Sequence, residues 1–243
     1  EVALIREAIS ITDRALQNVM SRLRPGMKEY QAQADFEYTV HYLGADGTSF
    51  PTIAGSGANG TMLHYETNRD TCEDGTLLLL DLGAKVQGYC ADITRTYPVN
   101  GVFTPRQRAV YETVLAANRA VAAAAKPGVT LSGLNEICKQ VLAEGCRKLG
   151  LIDSAEKIGT YYMHGVSHHL GIDVHDVSAR RDEPLQPGAV ITDEPGLYID
   201  EWEIGIRIED DLLITEDGCE VLSADVIREA DEIEAFMAQA KRG

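Results

Sequence analysis

Apolar side chains recur at helical spacing from the start of the chain. Leu4, Ile5, Ala8, Ile9, Leu16, Val19, Met20 and Leu23 share one face of a helix predicted over about 2 to 24, and Pro25-Gly26 stops it. A second helical stretch, about 28 to 43, ends at Gly44. From 45 to 75 the chain is rich in Gly, Asn and Thr and reads as loops around a short strand near Phe50 to Ala54. The period then changes. Thr76 to Asp81 and Tyr89 to Thr94 read as two strands joined by a short turn. Helices are predicted at about 105 to 125 and 131 to 149, with Pro127-Gly128 between them. A segment rich in Gly and His runs from 161 to 176, and strands at about 189 to 199 and 204 to 215 precede a helix near 229 to 240.

This order repeats. Helix, Pro-Gly, helix, Gly, His-containing loop and acidic strand pair occur over about 2–97 and again over 105–215. The Pro-Gly steps at 25 and 127 lie 102 residues apart, and Gly44 and Gly150 lie 106 apart. Residue identity between the halves is weak, so the pattern and not the letters suggests a duplicated α+β unit with a site at the junction. No Pro- or Ser-rich linker divides the chain, and residues 1–243 are expected to form a single domain.

Charge narrows the function classes. Among 243 residues, 38 Asp plus Glu stand against 22 Lys plus Arg, a formal charge of −16. That balance disfavours nucleic acid or an anionic membrane as partner, since phosphates bind clustered Lys and Arg. It suits cations, although a solvated acidic surface is the plainer account. No apolar run comes near the roughly 20 residues that cross a bilayer, and Leu77 to Leu80 is strand-sized. Five scattered cysteines form no CxxC pair, so reduced thiols and a cytoplasmic location are expected. No signal peptide is visible, and the chain opens on Glu1 rather than Met, compatible with a fragment or processed product.

The strand pairs carry the candidate chemistry. If Asp81 and Asp92 oppose each other in a hairpin, its turn falls within Lys85-Val86-Gln87-Gly88; for Glu194 and Glu209 it falls within Asp200-Glu201-Trp202-Glu203. Like charges opposed on a sheet, with β-carbons about 5 Å apart, destabilise it. Two such pairs at one junction are hard to keep ionised without bound cations. A single strand Asp is more often a turn or edge residue; four so arranged weaken that account. Four of the six histidines, His164, His168, His169 and His175, fall within twelve positions. One imidazole beside four carboxylates makes a hard, oxygen-rich site for Mn²⁺, Co²⁺ or Zn²⁺.

Five ordered segments carry a resemblance: Leu63-His-Tyr; Asp81-Leu-Gly with Gly88-Tyr-Cys-Ala-Asp-Ile-Thr-Arg-Thr; His164 to Asp176; Glu194-Pro-Gly-Leu-Tyr; and Gly205-Ile-Arg-Ile-Glu-Asp. Over essentially its whole length the chain resembles the catalytic domain of the pita-bread-fold metallopeptidases, in their aminopeptidase P branch. The resemblance implies an α+β fold of two pseudo-symmetric halves, with a curved antiparallel sheet flanked by helices. It implies two divalent ions per chain, Mn²⁺ first with Co²⁺ or Zn²⁺ as alternatives, held by Asp81, Asp92, His168, Glu194 and Glu209. Asp92 and Glu209 would bridge the ions, and a bridging hydroxide would attack the scissile carbonyl. Glu194 would also accept and pass on a proton. His64 and His175 match the substrate-side histidines, His164 a histidine at the mouth, and Tyr198 and Arg207 positions that orient the ligands. For His169 a side chain turned away from the metals is expected.

The implied substrates are peptides with proline in the second position; a homo-oligomer is compatible. Two other readings stay open: a prolidase confined to Xaa-Pro dipeptides, and a non-catalytic peptide-binding module, although such modules typically lose ligands that are all present here. The chain also departs from the family. An amino-terminal domain usually precedes the catalytic one and is absent from this sequence. Asp193 stands where an apolar residue usually precedes the ligand glutamate, and alternation points it away from the metals. His169 replaces an aromatic residue.

Overall fold

The computed structural model describes residues 1–178 and 182–241. Helix α1 (Val2–Arg22) buries Ile5, Ala8, Ile9, Ala15, Leu16, Val19 and Met20, the face that the helical spacing predicts, and packs on α2 (Glu29–Tyr42). The second half repeats this pairing with α3 (Pro105–Ala124) on α4 (Leu131–Lys148). Pro at the first turn and a Thr104–Gln107 capping box start α3. Helix α5 (Ala230–Ala240) packs against α1 and α3.

All strand pairing is antiparallel among the described residues. Strands β1 (Gly47–Thr48), β2 (Ile53–Ser56), β3 (Leu77–Leu82), β4 (Ala84–Val86), β5 (Tyr89–Cys90) and β6 (Ile93–Pro98) form sheets β2-β3-β6 and β1-β4-β5. Strands β7 (Val190–Asp193), β8 (Gly196–Ile199), β9 (Ile204–Arg207), β10 (Asp210–Ile214) and β11 (Cys219–Val221) form sheets β7-β10-β11 and β8-β9. The short β11 is not foreseen from the sequence. The strand expected near Phe50 lies later, at Ile53–Ser56, because Pro51 has no N–H for the ladder and pairing with β3 starts at Ile53↔Asp81.

Two long hairpins organise these strands, and each holds one register across an interruption. In the first, Leu77↔Pro98 through Leu82↔Ile93 continues as Lys85↔Cys90 and Val86↔Tyr89. In the second, Val190↔Leu213 through Asp193↔Asp210 continues as Gly196↔Arg207 through Ile199↔Ile204. That second register extrapolates to Glu194 opposite Glu209, as the turn-centre argument expects. The first does not match expectation: Asp81 faces Thr94, not Asp92. The reason is the turn. Gln87 and Gly88 both have positive φ, 47° and 88°, the signature of a two-residue type I′ turn, and this moves the hairpin's centre one residue later than predicted. The resulting slip is two residues, so Asp92 stays on the same face.

Strand β3 separates two apolar regions. Leu78, Leu80 and Leu82 enter the main core with Leu16, Phe36, Tyr97, Leu115 and Ile206. Leu79 faces the opposite way, into a small cluster with Ile53, Tyr65 and Tyr198. Asp81 shares the face of Leu79 by the period-2 rule, and the helices cover the other.

Candidate active site

The interruptions in the two hairpins coincide with the candidate carboxylates. Asp92 precedes β6, Glu194 lies between β7 and β8, and Glu209 lies between β9 and β10. The first break requires a glycine: a β-carbon on Gly83 would meet the Ala91 carbonyl oxygen at 1.8 Å. The halves meet where β6 runs beside the second hairpin. The Glu209 N–H donates to the Thr94 carbonyl (3.0 Å), and the Arg95 Nη1 donates to the Glu209 carbonyl (2.6 Å). The segment carrying His168 lies along β7, with the Thr192 N–H on the His168 carbonyl and the Glu194 N–H on the Val166 carbonyl, both 2.9 Å.

One cavity of about 550 Å³ receives Asp81, Asp92, His168, Glu194 and Glu209 together with His64, His164, His175 and Arg207. Phe50, Pro51, Ile53, Leu63 and Val174 form its apolar wall. Asp92, His168 and Glu209 offer ligand atoms that all lie within 4.8 Å of one another. The His168 Nε2 is 3.4 Å from Asp92 and 3.6 Å from Glu194. Asp81 and Glu194 stand outside that trio, Asp81 paired with Arg207. His64 and His175 are exposed at the open side, His175 edge-on to His168 with ring centroids 4.4 Å apart. His169 bridges Ile191 through its backbone and lines a separate recess beside Leu131 and Ser132.

A hydrogen-bond chain supports these groups. Arg207 donates to Asp81, to the Tyr198 hydroxyl (2.9 Å) and to the Thr94 hydroxyl (3.1 Å). Thr94 donates in turn to Glu209 at 2.6 Å. The Tyr198 hydroxyl lies 2.8 Å from the His164 Nε2, and the His164 Nδ1 lies 2.7 Å from the Gly165 carbonyl. Since a carbonyl only accepts, the network assigns the proton to Nδ1 and leaves Nε2 as acceptor for Tyr198. Thr94 and Arg95 were not singled out from the sequence. Thr94 stands two positions after Asp92, the period that puts strand residues on one face, and that signal would have found it.

The electrostatics call for cations. Burial, with Glu209 and Asp81 beside it, pushes the Asp92 carboxyl well above the usual carboxylate range. Burial and the Glu194 and Asp81 charges do the same to Glu209. Burial raises Glu194 to about 8, with Arg207 opposing the rise. Burial lowers both His164 and His168 to about 4, so each imidazole is neutral at pH 7. The buried Asp81 Oδ1 has no hydrogen-bond partner among the described residues. Four carboxylates and a neutral imidazole with an orphaned oxygen fit hard divalent ions.

Comparison with known proteins agrees with this chemistry. The model of metallopeptidase family M24 matches residues 3–216. The Xaa-Pro aminopeptidase of Escherichia coli is 41% identical over 260 residues, covering 100% of this chain and 59% of that protein. A solved Bacillus anthracis structure assigned to aminopeptidase P superposes with a TM-score of 0.97 at 49% identity, covering 99% of this chain and 57% of that one. E. coli aminopeptidase P with the inhibitor Pro-Leu gives 0.96 at 40% identity, covering 100% and 60%. The chain thus spans about three-fifths of the length of these relatives. The chain belongs to metallopeptidase family M24, and its fold is the pita-bread fold of aminopeptidase P.

Proposed function

We propose that this chain is the catalytic portion of an Xaa-Pro aminopeptidase, a metal-dependent exopeptidase releasing an amino-terminal residue that precedes proline. The observation that carries the reading is the convergence of Asp81, Asp92, His168, Glu194 and Glu209 on one cavity. The relative at 41% identity supports it. In this reading residues 1–243 act as one catalytic domain, and each half contributes one hairpin.

The five residues would hold two divalent ions, Mn²⁺ first. Bound there, the ions supply Lewis-acid chemistry, activating a water and polarising a carbonyl. Glu194 takes up the proton of the attacking water and delivers it to the leaving proline nitrogen. His64 and His175, on the open side, donate to the oxyanion that develops on the scissile carbonyl. Arg207 orients Asp81, and Tyr198 donates to the His164 Nε2, while the Gly165 carbonyl sets the tautomer of that ring. A bond to proline is a tertiary amide without an N–H, so recognition rests on the oxygen and the ring. Phe50, Pro51, Ile53 and Leu63 offer that ring an apolar surface. The proposed compartment is the cytoplasm, on the scattered spacing of the five cysteines, which form no CxxC pair.

A peptide panel with Mn²⁺-loaded protein tests the reading. Ala-Pro-Ala should release Ala, whereas acetyl-Ala-Pro-Ala and Ala-Ala-Ala should resist. Preference for Ala-Ala-Ala overturns the proline assignment, and cleavage of Ala-Pro alone makes the chain a prolidase. Asp92→Ala and Glu209→Ala should lose metal and activity together; full activity in either would remove the two-ion centre.

A further inference from the structure

Helix α2 begins with a glutamate that none of the chemistry above uses. Glu29 is 0% exposed, yet its carboxylate accepts five hydrogen bonds. Its Oε1 takes the Ser56 N–H (2.7 Å), the Ser56 hydroxyl (2.9 Å) and the Asn59 amide (3.0 Å). Its Oε2 takes the Tyr65 hydroxyl (2.8 Å) and the Asp70 N–H (2.9 Å). The Glu29 backbone N–H returns to the Asp70 carbonyl at 3.0 Å. Every donor therefore comes from the segment 56–70, including both of its ends. Five donors converging on one buried side chain make a firm anchor for a stretch with little regular structure.

The same segment carries His64 to the cavity. His64 is exposed, and among the described residues no hydrogen bond to its ring sets its direction. Its place follows from its backbone, and the next residue is Tyr65. The Tyr65 ring is clustered with Ile53, Leu79 and Tyr198, while its hydroxyl is held by Glu29. Burial, followed by that hydrogen bond, pushes the Tyr65 phenol up to about 12, so it stays a donor at any working pH.

We propose that Glu29 is a positioning residue, gathering Ser56, Asn59, Tyr65 and Asp70 so that His64 faces the cavity. Its effect on turnover rests on the reading of His64 as a group acting on substrate. The variant Glu29→Gln keeps the shape but turns an N–H₂ group toward at least two of the donors. Hydrogen exchange over 56–70 and kcat and KM on Ala-Pro-Ala are measured for the Mn²⁺-loaded wild type, Glu29→Gln, His64→Ala and the double variant.

Glu29→Gln should speed exchange in 56–70, keep its metal and lose about 10²-fold in kcat, the size of effect that a displacement near 1 Å produces. The double variant should be no slower than His64→Ala, because a histidine that is absent cannot be misplaced. Tyr65→Phe removes one donor only; it should act in the same direction more weakly, and it carries the same cycle if Glu29→Gln fails to fold. Unchanged exchange in 56–70, or losses that multiply in the double variant, overturns the proposal. Faster exchange beside a fully active His64→Ala would instead overturn the catalytic reading of His64 and leave the positioning by Glu29 standing.

Discussion

Thr94 shows how much can depend on one hydroxyl. It accepts from the Arg207 Nε at 3.1 Å and donates to Glu209 at 2.6 Å, joining β6 of the first half to the second. Thr94→Val keeps the β-branched shape but leaves a buried guanidinium N–H and a buried carboxylate oxygen without this partner, at about 1–3 kcal/mol. Supporting hydrogen bonds of this kind are worth roughly 10–100-fold in metal affinity. The variant should therefore fold with a lower Tm and bind Mn²⁺ more weakly in a direct titration; wild-type affinity would show that Thr94 does not orient Glu209. Asp193, the departure from an apolar pattern, behaves differently. It is fully buried, lies opposite Asp210 on β10, and accepts from Asn118 at 3.2 Å. Burial and the Asp210 charge push its carboxyl well above the usual range. Burial would raise Asp210 too, but Arg95 and Arg228 outweigh it and hold that group ionised. Opposed carboxyls are tolerated here because Arg95 and Arg228 offset the Asp210 charge while burial disfavours a charge on Asp193.

The hairpins carry the site on their interruptions. A continuous ladder would tie Asp92, Glu194 and Glu209 into regular pairing; breaks bend each hairpin into a second sheet at those residues. The first hairpin also has a suboptimal tip. Gln87 adopts a left-handed φ of 47°, which costs an L-residue roughly 1–2 kcal/mol, and Asn visits that region more readily. Asn-Gly is the preferred type I′ pair. Gln87→Asn should raise Tm by about 1–3 °C for a chain of this size. Gln87 is exposed and lines no part of the cavity, so kcat/KM should not change. A lower Tm would mean that this turn does not limit the hairpin.

Across the molecule, an excess of 16 negative charges meets a centre where carboxylates crowd. Without metal, Glu194 titrates near 8 in the folded chain, against an ordinary value of 4.5. Between those values the native state binds more protons than the unfolded state, so stability falls as pH rises through the window. Asp92 and Glu209, also raised, act with the same sign. His164 and His168 oppose them. Their values near 4 lie below the ordinary 6.5, so the unfolded state binds more protons in that interval and stability rises with pH there. Above 6.5 the histidines no longer contribute and the carboxylates act unopposed. Chelation should thus lower Tm more at pH 8 than at pH 6.5, because cations relieve the repulsion that grows with ionisation. An equal or smaller chelator effect at pH 8 would argue against cations as the counter-charge.

Period and punctuation made the helices legible. Leu4 to Leu23, and the Pro-Gly steps after α1 and α3, are local signals that tertiary packing had only to use. The second hairpin's register was legible too, since its turn centre could be computed from Glu194 and Glu209. The first was not, because the φ angles of Gln87 and Gly88 place its turn and spacing alone does not. The candidate ligands stood out as residue types in ordered segments, but their support did not. Arg207 joins Asp81, 126 residues away, and Thr94, 113 residues away. Glu29 collects donors 27 to 41 positions further on. Helical period and capping act within a few residues, so the chain displays them directly. Which buried donor meets which buried acceptor is decided when distant segments lose water together, and only the folded packing brings those pairs into contact.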